Sequence, residues 1–196
     1  MRLNFKGAFD ALLRFGKHPH DSDLPVSMVL LLGESDFLTL EQLRSSAERA
    51  FRMPFSVSKA SIKNPNVADS QYCVIQAVFF TLMKVGPHTL SFLNYTKPYG
   101  EDDLGRDFGE SLPLESQRRA WFQHKAWTAV DYSKRGTDPE RRYAVLARLC
   151  TEMVNRNCLG VYLPRERRLI PNDGSLLQEL HRIASVGDRG AAQAVN

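Results

Sequence analysis

Long apolar runs are missing from this chain of 196 residues; none approaches the roughly 18 apolar residues that a membrane-spanning helix needs. The start of the chain also lacks the plan of a secretory signal, because Phe5, Phe9, Leu12 and Leu13 are interrupted by Lys6, Asp10 and Arg14. Cysteine is scarce. Cys73, Cys150 and Cys158 are odd in number and form no Cys-x-x-Cys pair, which argues against a zinc ribbon or a disulfide framework and suits buried thiols in a reducing compartment. A cytoplasmic protein is expected.

Several signatures of chemistry are absent as well. There is no glycine-rich phosphate loop and no Gly-x-Ser-x-Gly nucleophile elbow. Gly33-Glu-Ser-Asp36 stands between an apolar run and a helical pattern, where an anion could meet a helix start, but Glu34 and Asp36 would repel it. No cofactor is implied. Charge of one sign is also lacking: 26 basic residues face 22 acidic ones, for a net charge of +4. Six acids against Arg106 alone lie between Glu101 and Glu115, while the C-terminal part is basic. A patchy surface of this kind does not make the one-signed field of a strong nucleic-acid binder.

What is present is an ordinary globular composition, 43% hydrophobic and 24% charged. Residues 1–25 are expected to be an amphipathic helix over 3–16 followed by a polar linker. The helix either docks on its own domain or binds a partner. Residues 26–186 form one domain and 187–196 a frayed tail. Met28–Leu32 has the continuous apolar pattern of a strand buried on both faces. Thr39 and Gln42 form a capping box for a helix over 40–51, and residues 55–63 alternate as a strand before a turn at Asn64-Pro-Asn66. Residues 71–85 and 88–96, separated by Gly86-Pro87, pattern as one antiparallel hairpin, although 71–84 also fits a buried helix. Residues 97–117, with Gly100, Gly105, Gly109 and Pro113, pattern as a long irregular loop. A strand from His124 to Asp131, a helix capped at Thr137 or Asp138, a hairpin over 159–170 and a helix capped by Ser175 complete the domain. The expected fold class is α+β: a mixed or antiparallel sheet with helices packed on one face, a pattern that also allows two ferredoxin-like halves.

The order of features from Tyr95 onward resembles a bacterial family catalogued as domain of unknown function 4261. Tyr95-Thr-Lys-Pro98 follows an apolar strand, and an acidic loop leads to Trp121 and His124-Lys-Ala-Trp127. Asp138-Pro-Glu140 then opens a helix and Leu159-Gly-Val-Tyr-Leu163 closes the unit. The resemblance spans roughly residues 26 to 180. It implies an α+β fold and carries no activity.

Candidate chemistry is thin. His18-Pro-His20-Asp21-Ser-Asp23 offers four metal-ligating side chains, but a linker does not preorganise them. Glu101, Asp102 and Asp103 are hard oxygen ligands without the spacing of a calcium loop. No metal site is assigned. His124 is the weak catalytic candidate, a base in need of a carboxylate from the 101–110 loop. The arginines at 141, 142, 148, 165, 167 and 168 could contact phosphates, but acids are interleaved with them. A non-enzymatic module that binds protein, itself or another, is the favoured expectation. Its contact surface would be the 97–117 loop with Tyr95, Lys97, Tyr99, Trp121 and Phe122, since aromatics beside a polar loop are common interface anchors. A small enzyme built on His124 and a weak single-stranded nucleic-acid binder are the alternatives.

Overall fold

The computed structural model describes residues 26–59, 71–76, 80–133 and 138–192. The helix expected over 3–16, the His18-Pro-His20 linker, the Asn64-Pro-Asn66 turn and the last residues of the tail lie outside the described residues. The chain folds as α+β around one mostly antiparallel sheet. At its centre is β1 (Val26–Leu32), all seven residues of which are buried. It hydrogen-bonds antiparallel to β6 (Ala126–Tyr132) on one side and to β7 (Cys158–Leu163) on the other. The remaining strands are β2 (Ser56–Lys59), β3 (Tyr72–Gln76), β4 (Thr81–Val85), β5 (His88–Tyr95) and β8 (Arg168–Pro171), in the sheet order β2-β3-β4-β5-β6-β1-β7-β8. Among the described residues only the β2–β3 pair is parallel. Because β6 and β7 both run against β1, they are parallel to each other. The helix that joins them, α4 (Pro139–Met153), therefore makes a split βαβ unit with β1 inserted. That insertion welds the two parts of the chain into one sheet, and separate ferredoxin-like halves do not form.

Alternate residues of the strands face opposite ways. On the front face, Val26, Met28, Leu30 and Leu32 of β1 and Val130 and Tyr132 of β6 share a core with α1 (Leu40–Phe51), α4 and α5 (Leu176–Ala192). The helix starts follow the sequence signals. Thr39 accepts from the Gln42 N–H while the Gln42 side chain accepts from the Thr39 N–H, and Asp138 caps α4 with Pro139 in its first turn. Ser46 donates to the Glu152 carbonyl at 3.0 Å and Arg49 pairs with the Glu152 carboxylate at 2.7 Å, which ties α1 to α4. Glu179 of α5 bonds both Arg168 of β8 and Arg182, and these hydrogen bonds hold its pKa down at about 2.

Two segments differ from expectation. Residues 71–85 are strands but not one strand: they divide into β3 and β4, paired antiparallel, so a three-stranded meander replaces the single hairpin. Residues 97–117, read as an irregular loop, contain α2 (Asp103–Ser111) and the start of α3 (Glu115–Gln123). The glycines suggested a loop because glycine weakens an isolated helix. Here they let two helices and an indole approach closely. Both helices pack on the back face, opposite α1, α4 and α5.

The β4–β5 turn has two residues. Gly86 has φ +56° and is followed by Pro87, as a type II′ hairpin turn requires. Gly86→Ala is expected to destabilise the protein by about 1–2 kcal/mol, because an L side chain is strained at that φ. Urea unfolding of the variant checks this; an unchanged midpoint contradicts it.

Candidate functional site

The back face between Tyr95 and Lys125 is built by one histidine, one tryptophan and three glycines. Asp102 caps α2 through the Gly105 N–H at 2.9 Å. A Cβ on Gly105 would strike the Gly100 carbonyl, and one on Gly109 would strike the rings of Trp121 and Phe122. Without those side chains, α3 lies against α2. Trp121 Nε1–H then donates to the Gly105 carbonyl at 2.9 Å. The Trp121 ring meets Phe108, Tyr162 and Tyr99 edge-on, at 4.7, 5.1 and 6.1 Å between centroids. With Val29, Leu31, Trp127 and Leu169 these rings form a second core. Gln117 fastens α3 to the sheet edge by donating to the Leu169 carbonyl at 2.8 Å.

His124 does not start a strand; it ends α3 and is buried. Its Nε2 accepts from the Tyr99 N–H at 2.7 Å, and its Nδ1–H donates to the Trp121 carbonyl. Both ring nitrogens are therefore committed to backbone. Burial lowers its pKa, against the opposing effect of those backbone hydrogen bonds. Among the predicted surface residues, Tyr99 and Trp121 are buried and carry the second core, whereas Tyr95, Lys97 and Phe122 are exposed. The two large rings turned inward because the sheet beneath is apolar here, something a one-dimensional pattern does not reveal. Glu101, Asp102 and Asp103 are exposed at the start of α2. The arginines do not share one face: Arg142 is buried with its guanidinium over Tyr132, Arg167 lies over Phe108, and Arg168 is bound by Glu179.

Other features had no signal in the sequence. Asp131 lies on the back face between Ser27 and Ser91, with no hydrogen-bond partner for Oδ1. Burial raises its pKa, partly offset by a hydrogen bond from Ser27. A cleft of about 440 Å³ runs beside β8, with Arg168, Glu179 and Arg182 on its wall. A smaller cavity of about 180 Å³ opens on the front face under the start of α1. Their residues are spread over several elements and meet only through sheet register.

Comparison of the chain with protein-family models, curated proteins and solved structures gives no match in any of the three.

The neutral His124 ring has a consequence for acid stability. The unfolded chain takes up a proton near the ordinary histidine pKa of about 6.5, while the folded protein resists it to a lower pH. Below about pH 6.5 the unfolded state binds more protons, so stability is expected to fall as pH drops toward the folded value. Urea titrations from about pH 8 to 5 should show a shallower decline for His124→Gln than for the parent. Equal slopes would assign the acid limb to other groups.

Proposed function

We propose that this protein is a non-enzymatic interaction module that docks a protein partner on the outer surface of the α2–α3 hairpin. The observation that carries the reading is where its exposed apolar side chains lie. Seven large hydrophobic residues are exposed among the described residues, and four of them, Tyr95, Leu104, Leu114 and Phe122, fall between β5 and the end of α3. Leu114 and Phe122 are each 53% exposed, the first at the N-cap of α3 and the second in its last turn. Scattered exposed apolar residues need no explanation, whereas a local concentration marks a contact surface. The rings beneath are rigidly held, so the surface is preorganised.

The sheet edge at β8 offers a second copy little to pair with. It is short, carries Pro171, and its Leu169 carbonyl is already taken by Gln117. For self-association the hairpin is therefore favoured over this edge. A catalytic role for His124 has little support, since neither ring nitrogen is free to take a substrate proton. Nucleic-acid binding is supported less than docking, because the arginines are dispersed and partly engaged. The resemblance to domain of unknown function 4261 brings no activity to the reading. Three buried thiols, none of them in a disulfide, favour a reducing, cytoplasmic setting.

Leu114→Ser with Phe122→Ser should leave unfolding within about 0.5 kcal/mol of the parent, because both positions are exposed. The pair should abolish association, read by sedimentation for self-association and by photocrosslinking from position 122 for other proteins. A parent chain that is monomeric and crosslinks to nothing from that position would overturn the proposal.

A further inference from the structure

The front face of the sheet is apolar under most of the helices, but not under the start of α1. Gln76 of β3, Thr81 of β4, Asn94 of β5 and Thr128 of β6 all line the cavity of about 180 Å³, as two polar cross-strand pairs one step apart along the sheet, since the residue of β5 opposite Thr81 is Phe92. Register brings them together: Gln76 is opposite Thr81, and Asn94 is opposite Thr128. Thr128 is only 8% exposed and donates to Asn94 Oδ1 at 2.8 Å. That bond orients the Asn94 amide and leaves its Nδ2 as a donor. No protein partner is found among the described residues for the Gln76 amide, the Thr81 hydroxyl or Asn94 Nδ2. The opposite wall is apolar, made by Leu40 and Leu43 of α1 with Met153 of α4, and Phe92 lies in the floor. Leu38 and Thr39, at the start of α1, complete the lining.

We infer that this cavity is a binding site for a small, flat, uncharged heterocycle with a lactam edge, of pyrimidine size. The chemistry of the walls sets each part of that description. Among the described residues no charged side chain lines the cavity, so none of them offsets the desolvation of an ionic ligand. The volume admits a single ring and excludes a nucleotide. A free amide, a hydroxyl and an oriented NH₂ on two neighbouring pairs offer donors and an acceptor around one cavity, which is the complement of a ring carbonyl next to a ring N–H. Asparagine and glutamine amides read heterocycle edges in this way elsewhere. The apolar wall and Phe92 suit the flat faces of the ring. The site lies on the face opposite the α2–α3 hairpin and does not depend on the docking reading. A cavity holding only ordered water is the competing account, since a polar space of this size could hold several.

Uracil serves as the probe, with 1,3-dimethyluracil as a control of the same ring that lacks N–H donors, and benzoate as an anionic control. Proton–nitrogen correlation spectra of the full chain would follow the side-chain NH₂ signals of Gln76 and Asn94 and the Thr128 amide. The expected result is saturable perturbation of these signals by uracil at millimolar concentration or below. Dimethyluracil and benzoate should be at least about tenfold weaker, the factor that one lost hydrogen bond typically gives. Asn94→Ala and Thr128→Val, which keeps the volume, should each weaken uracil by about five- to tenfold, read on chains that a urea transition shows to be folded. No perturbation at 10 mM uracil, equal binding of the dimethyl compound, or perturbation confined to another surface would overturn the inference and leave a water-filled cavity.

Discussion

Everything in this protein is attached to β1. Its seven residues are buried on both faces of the sheet, and its backbone is hydrogen-bonded on both edges, to β6 and β7. Val26, Met28, Leu30 and Leu32 enter the front core, while Val29 and Leu31 enter the back core. A strand of this kind cannot be removed or shifted by one register without exchanging the two cores, because the side-chain period is two. It also decides the topology. With β1 inserted between β6 and β7, the split βαβ unit and the β3–β5 meander become one sheet, and the hairpin face and the cavity face become the two sides of one slab.

The two sides are used differently. The front is covered by three helices packed in the ordinary way, with a cavity where α1 begins and the sheet turns polar. The back is covered by two short helices whose closeness depends on absent Cβ atoms at Gly105 and Gly109 and on the Trp121 hydrogen bond to Gly105. His124 joins the end of α3 to the Tyr99 backbone and so ties the end of the hairpin to the segment that leads into it. Its role is that of a buried, neutral bracket. The exposed Leu114 and Phe122 are presented by this bracketed hairpin, which is why a docking surface can be small and still rigid.

The strands and helices with periodic patterns were legible in advance. The apolar run of β1, the capping box of α1, the Asp138-Pro139 start of α4 and the β7–β8 hairpin each carry a local signal, and each forms where that signal lies. The 97–117 segment was not legible, because five breakers in a short stretch (Pro98, Gly100, Gly105, Gly109 and Pro113) read as a loop whenever packing is unknown. The candidate surface was legible in part. Tyr95, Lys97 and Phe122 are exposed, whereas Tyr99 and Trp121 point into the back core.

Sequence alone therefore determined the local grammar: which segments bury one face or two, where helices start, and that the fold is α+β. Those properties follow from periodicity and from backbone hydrogen-bonding needs, which act over a few residues. The tertiary structure decided the rest: the insertion of β1, the helical state of 103–123, the inward turn of Tyr99 and Trp121, and the convergence of Gln76, Thr81, Asn94 and Thr128. Each of these depends on strand register or close approach between residues far apart in the chain, and no local pattern encodes such a distance.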